Sequence, residues 1–134
     1  MPSVVVIGNA VAKNLATGLD ESATVTFASS DDVVVRQATA SGLDAHCVDV
    51  TDAGSLCPVA EGSDTAIVVL EPERTALLAA NLLRSSCGID DVVAVVSEPT
   101  YLEAFDATDI ELLDTRTWLL DAVQEQLPHL RTDD

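Results

Sequence analysis

Val4-Val5-Val6-Ile7-Gly8-Asn9-Ala10-Val11-Ala12 joins a run of branched apolar residues to one glycine turn and the opening of a helical stretch. A run with no polar face suits a strand buried on both sides. Beyond the turn, Val11, Leu15 and Leu19 recur at i, i+4 and i+8, with Ala12 and Ala16 beside them. That spacing predicts an apolar stripe on a helix ending near Gly18.

The same order repeats down the chain. Val4–Ile7 is followed by apolar runs at Thr24–Phe27, Ala45–Val48, Ala66–Leu70, Val92–Val96 and Ile110–Leu113. Ser29-Ser30-Asp31-Asp32 supplies caps for a helix running toward Ser41-Gly42. Val33-Val34-Val35 reads as a strand in isolation, but the cap before it and the glycine after it overrule that. A short helix is expected around Ser55–Ala60, limited by Pro58. Pro72 suits the first turn of a helix through Leu77, Leu78, Leu82 and Leu83 to Cys87-Gly88. Ser97-Glu98-Pro99 starts another, through Leu102 and Phe105. Asp114-Thr115 caps a last one carrying Trp118, Leu119, Ala122, Val123 and Leu127 before Pro128. Short strands alternating with crossover-length helices predict an α/β fold: a doubly wound parallel sheet of six strands in the order 3-2-1-4-5-6.

With 134 residues, 48% of them hydrophobic, the chain makes one domain with a real core and has no room for a separate catalytic domain. There is no signal-peptide-like start, and no apolar run approaches the ~18 residues of a membrane span, so a soluble, cytoplasmic chain is expected. Six basic residues stand against 23 acidic ones, net −17, with Lys13 the only lysine. Such a surface repels phosphate backbones and anionic lipid, which argues against nucleic acid or membrane insertion as partners. Disorder would need low hydrophobicity as well. Concentrated salt offers a better account, because a Debye length of ~3 Å at 1 M screens the self-repulsion. The few lysines, acidic surface and small apolar residues resemble proteins of extremely halophilic archaea. Cys47, Cys57 and Cys87 are odd in number and dispersed, so neither metal nor disulfide is expected, and Cys47 reads as a small core residue. His46 and His129 read as surface or strand-edge residues.

On these residues the chain resembles the amino-terminal RCK domain, also called TrkA-N, the NAD-binding-type regulator of potassium channels and transporters. The resemblance covers essentially Val4 to Leu127. It rests on the Ile7-Gly8 turn followed by Leu15-Ala16, on Val48-Asp49-Val50-Thr51-Asp52 against the family's G-D-A-T-D, on the Leu77–Leu83 helix, on the Val-Ala-Val-Val of strand five, and on the crossover helix after strand six. It implies a Rossmann-like domain over residues 1–127 and a carboxyl tail over 128–134.

The family's phosphate loop reads G-x-G-x-x-G. Gly8 keeps the first glycine, Ala10 replaces the second, and Ala12 replaces the third when Leu15-Ala16 is aligned with the family's helix. The acid expected at the end of strand two, which would accept the ribose hydroxyls, is absent: Ala28 stands there, with Ser29 or Ser30 able to offer a weaker hydrogen bond. The family's polar residue early in the fourth helix falls near Ala76, and its strand-five arginine falls at Val95. Asp49 survives where family members turn a carboxylate toward adenine. The resemblance thus implies a site of Gly8, Asn9, Ala10, Val11, Ser29, Asp49, Val50 and Leu70 for NAD or another adenine nucleotide. Gly8→Val is expected to remove binding and spare most of the fold.

Three functions follow in order. The first is a regulatory, non-enzymatic module sensing a nucleotide such as NAD(H) or ATP for a potassium channel or transporter subunit. The second keeps the fold without a ligand and serves as an assembly module. The third is an NAD-dependent oxidoreductase, weakest because no nucleophile or Ser-Tyr-Lys constellation is present. The apolar face around Trp118 is expected to bury itself against a second copy, making a homodimer.

Overall fold

The computed structural model describes residues 2–71, 73–96 and 110–114, and the order of elements is that of a Rossmann-like α/β fold. Strand β1 (Ser3–Gly8) leads into helix α1 (Ala10–Leu19), β2 (Thr24–Ser29) into α2 (Asp32–Ala40), and β3 (Asp44–Cys47) into α3 (Ala53–Ala60). Strand β4 (Thr65–Val69) leads into α4 (Glu73–Ser85), followed by β5 (Asp91–Val96). Those strands lie parallel in the order β3-β2-β1-β4-β5, and β6 (Glu111–Asp114) pairs parallel to β5 beyond them. Trp118 and the expected final helix lie outside the described residues, as does the crossover between β5 and β6.

Strand β1 occupies the middle of the sheet because its side chains are apolar on both faces. Val4 and Val6 join a core with Phe27, Ala12, Ala16, Val34 and Ala38, beneath α1 and α2. Val5 and Ile7 point the other way, into a core with Leu56, Val68, Ala76, Ala80 and Leu83 beneath α3 and α4. Two apolar layers on one sheet make a three-layer sandwich.

Helix α1 meets the sheet through Ala12 and Ala16, each 0% exposed, whereas Val11 is 71% exposed. The stripe expected to run through Val11 therefore runs one residue later, and Leu19 packs at its edge. A helix seated on alanines approaches the strands more closely than one seated on valine or leucine. Helix α2 starts at Asp31, whose carboxylate accepts hydrogen bonds from the Val33 and Val34 amides at 3.0 and 3.5 Å. Val34 and Val35 are buried, so the β-branched run folds as a helix once capped. Gly42, at φ +92°, takes the left-handed turn that ends α2. Pro58 lies inside α3 rather than limiting it, leaving the Gly54 carbonyl without its i+4 amide donor.

The cysteines correct two expectations. Cys57 on α3 and Cys87, just after α4, form a disulfide across a Cα–Cα distance of 4.9 Å. Residues 30 apart in sequence meet because α3 and α4 share one face of the sheet, a proximity no local spacing announces. Cys47 is a free thiol and exposed. It ends β3, an outer strand whose residues are mostly open to solvent, so its short run has no second layer to enter. His46, on the same strand, is an edge residue paired with Asp44 at 3.0 Å. No helix among the described residues is long and apolar enough to cross a membrane.

Candidate functional site

The carboxyl ends of the strands form a crest, and its centre is the β1–α1 turn. Gly8 pairs in register with Val69 of β4. A Cβ built on Gly8 would lie 2.1 Å from the Val69 carbonyl oxygen and 2.5 Å from the Ala12 Cβ. The backbone therefore passes through a gap no side chain can share. Ala12 is fully buried against this glycine, where the third glycine of a G-x-G-x-x-G motif would bring helix to strand. Gly8→Val would drive a side chain into backbone, so the expectation that it spares most of the fold is corrected.

Helix α1 begins without a side-chain cap. Asn9 stands at the cap position but does not bond the first-turn amides, and its carbonyl accepts the Lys13 amide at 2.9 Å. The amides of Ala10, Val11 and Ala12 precede that first helical bond, and no acid lies in the first turn. Asn9, Ala10 and Val11 are exposed. Outward N–H groups at the positive end of a helix dipole suit an anion such as phosphate.

The Asn9 side chain is engaged elsewhere. Its Oδ1 accepts from the Ser29 hydroxyl at 3.2 Å, and the Ser29 oxygen accepts in turn from the Asp31 amide at 3.1 Å. The Ser29 carbonyl accepts the Val48 amide at 2.9 Å. Ser29 is 0% exposed, the one buried polar side chain among the described residues. Its hydroxyl is thus engaged with Asn9 and the Asp31 amide. It knots the ends of β1, β2 and β3 and fixes where the open amides point.

Asp49 follows β3 and is exposed. Its Oδ1 accepts from the Thr51 hydroxyl at 2.6 Å and the Thr51 amide at 2.9 Å. The Thr51 hydroxyl first, and its amide second, hold the Asp49 carboxyl below its ordinary range. Asp49 is thus a fixed anion, pre-turned by its own loop. Val50 and Leu70, 3% and 5% exposed, enter the same core as Ile7 and Ala28, so they form the floor beneath the crest rather than its open wall. Ala76 is fully buried, which closes the fourth-helix position to any ligand. The crest thus brings Gly8, Asn9, Ala10, Val11 and Ser29 together, with Val50 and Leu70 under them. Asp49 stands apart on the β3 side, bonded to Thr51. The Asn9–Ser29 link was missed by sequence reasoning, although a small polar residue replacing the strand-two acid was its visible signal.

A cavity of about 410 Å³ opens at the opposite end of the sheet, between the exits of α3 and α4, and is lined in part by Cys57, Ser63, Cys87 and Ile89. It shares no residue with the crest. Among the described residues no group of three His, Cys, Asp or Glu side chains is placed to hold a metal ion.

The architecture is that of the Rossmann class of α/β domains, with the glycine turn at its usual place. Among solved structures, the chain is similar to the NAD(P)-binding domain of an exopolyphosphatase-related protein from Archaeoglobus fulgidus. That match has a TM-score of 0.83 at 18% identity and covers 97% of this chain and 100% of that one. It is also similar to saccharopine dehydrogenase from Saccharomyces cerevisiae (TM-score 0.62, 20% identity), covering 85% of this chain and 27% of the enzyme. An imine reductase variant from Myxococcus stipitatus in complex with NAD+ gives 0.55 at 16% identity, covering 85% and 40%. At these identities the likeness is one of fold, and the chain spans less than half of either enzyme. No family model and no curated relative matches the sequence.

Proposed function

We propose that this domain binds the phosphate-bearing part of an adenine nucleotide at the crest, as a regulatory module rather than an enzyme. The observation that carries the reading is the uncapped start of α1 beside a glycine with no room for a Cβ. Phosphate oxygens would accept from the exposed Ala10 and Val11 amides, and Asp49 would face the adenosine end. The fold it shares with an NAD(P)-binding domain and with an enzyme that binds NAD+ favours NAD(H) as the first nucleotide to test. The likeness to RCK domains extends the proposal to a client, a potassium channel or transporter subunit, and to a second copy of this chain joined through the segment carrying Trp118.

The lack of an acid at the end of β2, where Ala28 and Ser29 are both fully buried, favours a second reading: an assembly module that has lost its ligand. Titration calorimetry with NADH, NAD+, ATP and AMP in multimolar KCl separates the two. Val11→Glu sharpens the test. The site is 71% exposed, so a carboxylate there suits the helix dipole, worth about 0.3–1 kcal/mol of stability, while it repels phosphate. Binding lost with the melting temperature held or raised is the expected result. No nucleotide heat with the wild type would transfer the case to the assembly reading.

A further inference from the structure

The Cys57–Cys87 bridge lies at the far end of the sheet from the crest and shares no residue with the proposed nucleotide site. Cys57 sits in the middle of α3, between Leu56 at 0% exposure and Ala60 at 1% on its core-facing side. Cys87 follows α4, where Gly88 turns the chain at φ +75° toward β5. Both cysteines are only half-buried, and both line the 410 Å³ cavity. A half-buried disulfide is more accessible to an attacking thiol than one sealed in a core. This one borders a space large enough to admit a small thiol.

Helix α3 is the element the bridge can govern. It has eight residues, an internal proline that removes one of its hydrogen bonds, and no side-chain cap on its first-turn amides. Its buried anchors among the described residues are Leu56 and Ala60. So short a helix is marginal by itself and depends on packing and on its covalent tie.

We propose that Cys57–Cys87 is a thiol-addressable strap: a small dithiol entering the cavity opens it in the folded protein, and opening it releases α3 and the Asp49–Asp52 segment ahead of it. In the exchange, a thiolate of the dithiol attacks one sulfur and the bridge breaks, with the electron pair leaving on the other cysteine as thiolate. The second thiol then displaces the mixed disulfide. The dithiol ends as a disulfide, and Cys57 and Cys87 end as two thiols.

Thiol counting and hydrogen exchange test this in multimolar KCl without any ligand. Ellman's reagent should find one reactive thiol in the air-oxidised folded protein, Cys47, and three after dithiothreitol. The reduction rate should rise in proportion to dithiothreitol while circular dichroism stays native. Exchange across residues 49–60 should quicken about tenfold or more, with β1 and β4 unchanged, as expected of a local opening. A Cys57→Ser/Cys87→Ser variant should show the fast exchange from the start and ignore dithiothreitol. Three reactive thiols in the oxidised protein would overturn the strap. So would a reduction rate that levels off at the rate of global unfolding, or exchange over 49–60 that reduction leaves unchanged.

Discussion

Gly8 has no room for a methyl group: its missing Cβ would press on the Val69 carbonyl at 2.1 Å and on Ala12 at 2.5 Å. Both obstacles are held in place, one as backbone and one as a helix anchor, so neither can swing aside. Gly8→Ala should therefore lower stability by about 3 kcal/mol, the upper range for inserting an extra methyl into a packed site. Urea unfolding measures it, and a loss under half a kcal/mol would refute the close approach. Asp49 gives a second prediction. Its folded pKa lies below the ordinary 3.8, so its contribution is present above the unfolded pKa and is lost as pH falls through the folded one. Thr51→Val removes the larger cause and should move the Asp49 titration upward, and with it the acid side of the stability profile. A carboxyl-carbon titration by NMR that does not move would exclude the threonine as the cause. Gly8 was legible as a tight turn because its type and place declare it. Ser29 was not, because the way a strand-end hydroxyl points depends on neighbours that meet it only after folding, here Asn9 and the Asp31 amide.

Helices α1 and α2 start alike in space and differ in chemistry. Asp31 closes the first turn of α2, whereas Asn9 turns toward Ser29 and leaves the first turn of α1 open. Asp31→Ala should cost about 1 kcal/mol, the usual worth of an N-cap, and should leave any ligand affinity unchanged. A melting temperature equal to the wild type's would contradict the cap. The alternation of elements could be read from sequence because period and punctuation are local. The parallel order followed from general rules of chain connection rather than from any residue. The stripe on α1 was read one residue early because valine outranks alanine in apolarity, while the sheet selected the smaller side chain. The Cys57–Cys87 bridge was hidden for the opposite reason: only tertiary packing brings α3 and α4 side by side.

For the whole molecule, charge dominates. Twenty-three acidic residues face six basic ones. Arg36–Asp32 and Arg84–Asp90 are local ion pairs, at least partly exposed, and offset little of the excess. At ~0.01 M salt the Debye length reaches ~30 Å and every carboxylate repels every other. Folded structure should be lost as KCl falls to tens of millimolar, and a circular dichroism spectrum that stays native after such dialysis would refute this. The alanine-faced helices set the molecule's response to temperature. Ala12, Ala16, Ala38, Ala60, Ala76, Ala79 and Ala80 are all buried to within 1% of completely. Each brings little apolar area out of water, and apolar area is what raises the heat capacity of the unfolded chain, by about 0.45 cal/K/mol per Å². Unfolding should thus carry a heat-capacity increment below the usual ~12–15 cal/mol/K per residue, which flattens the stability curve. A domain so built should change stability slowly between cold and hot solution, and the salt, more than the thermometer, should then govern its folding.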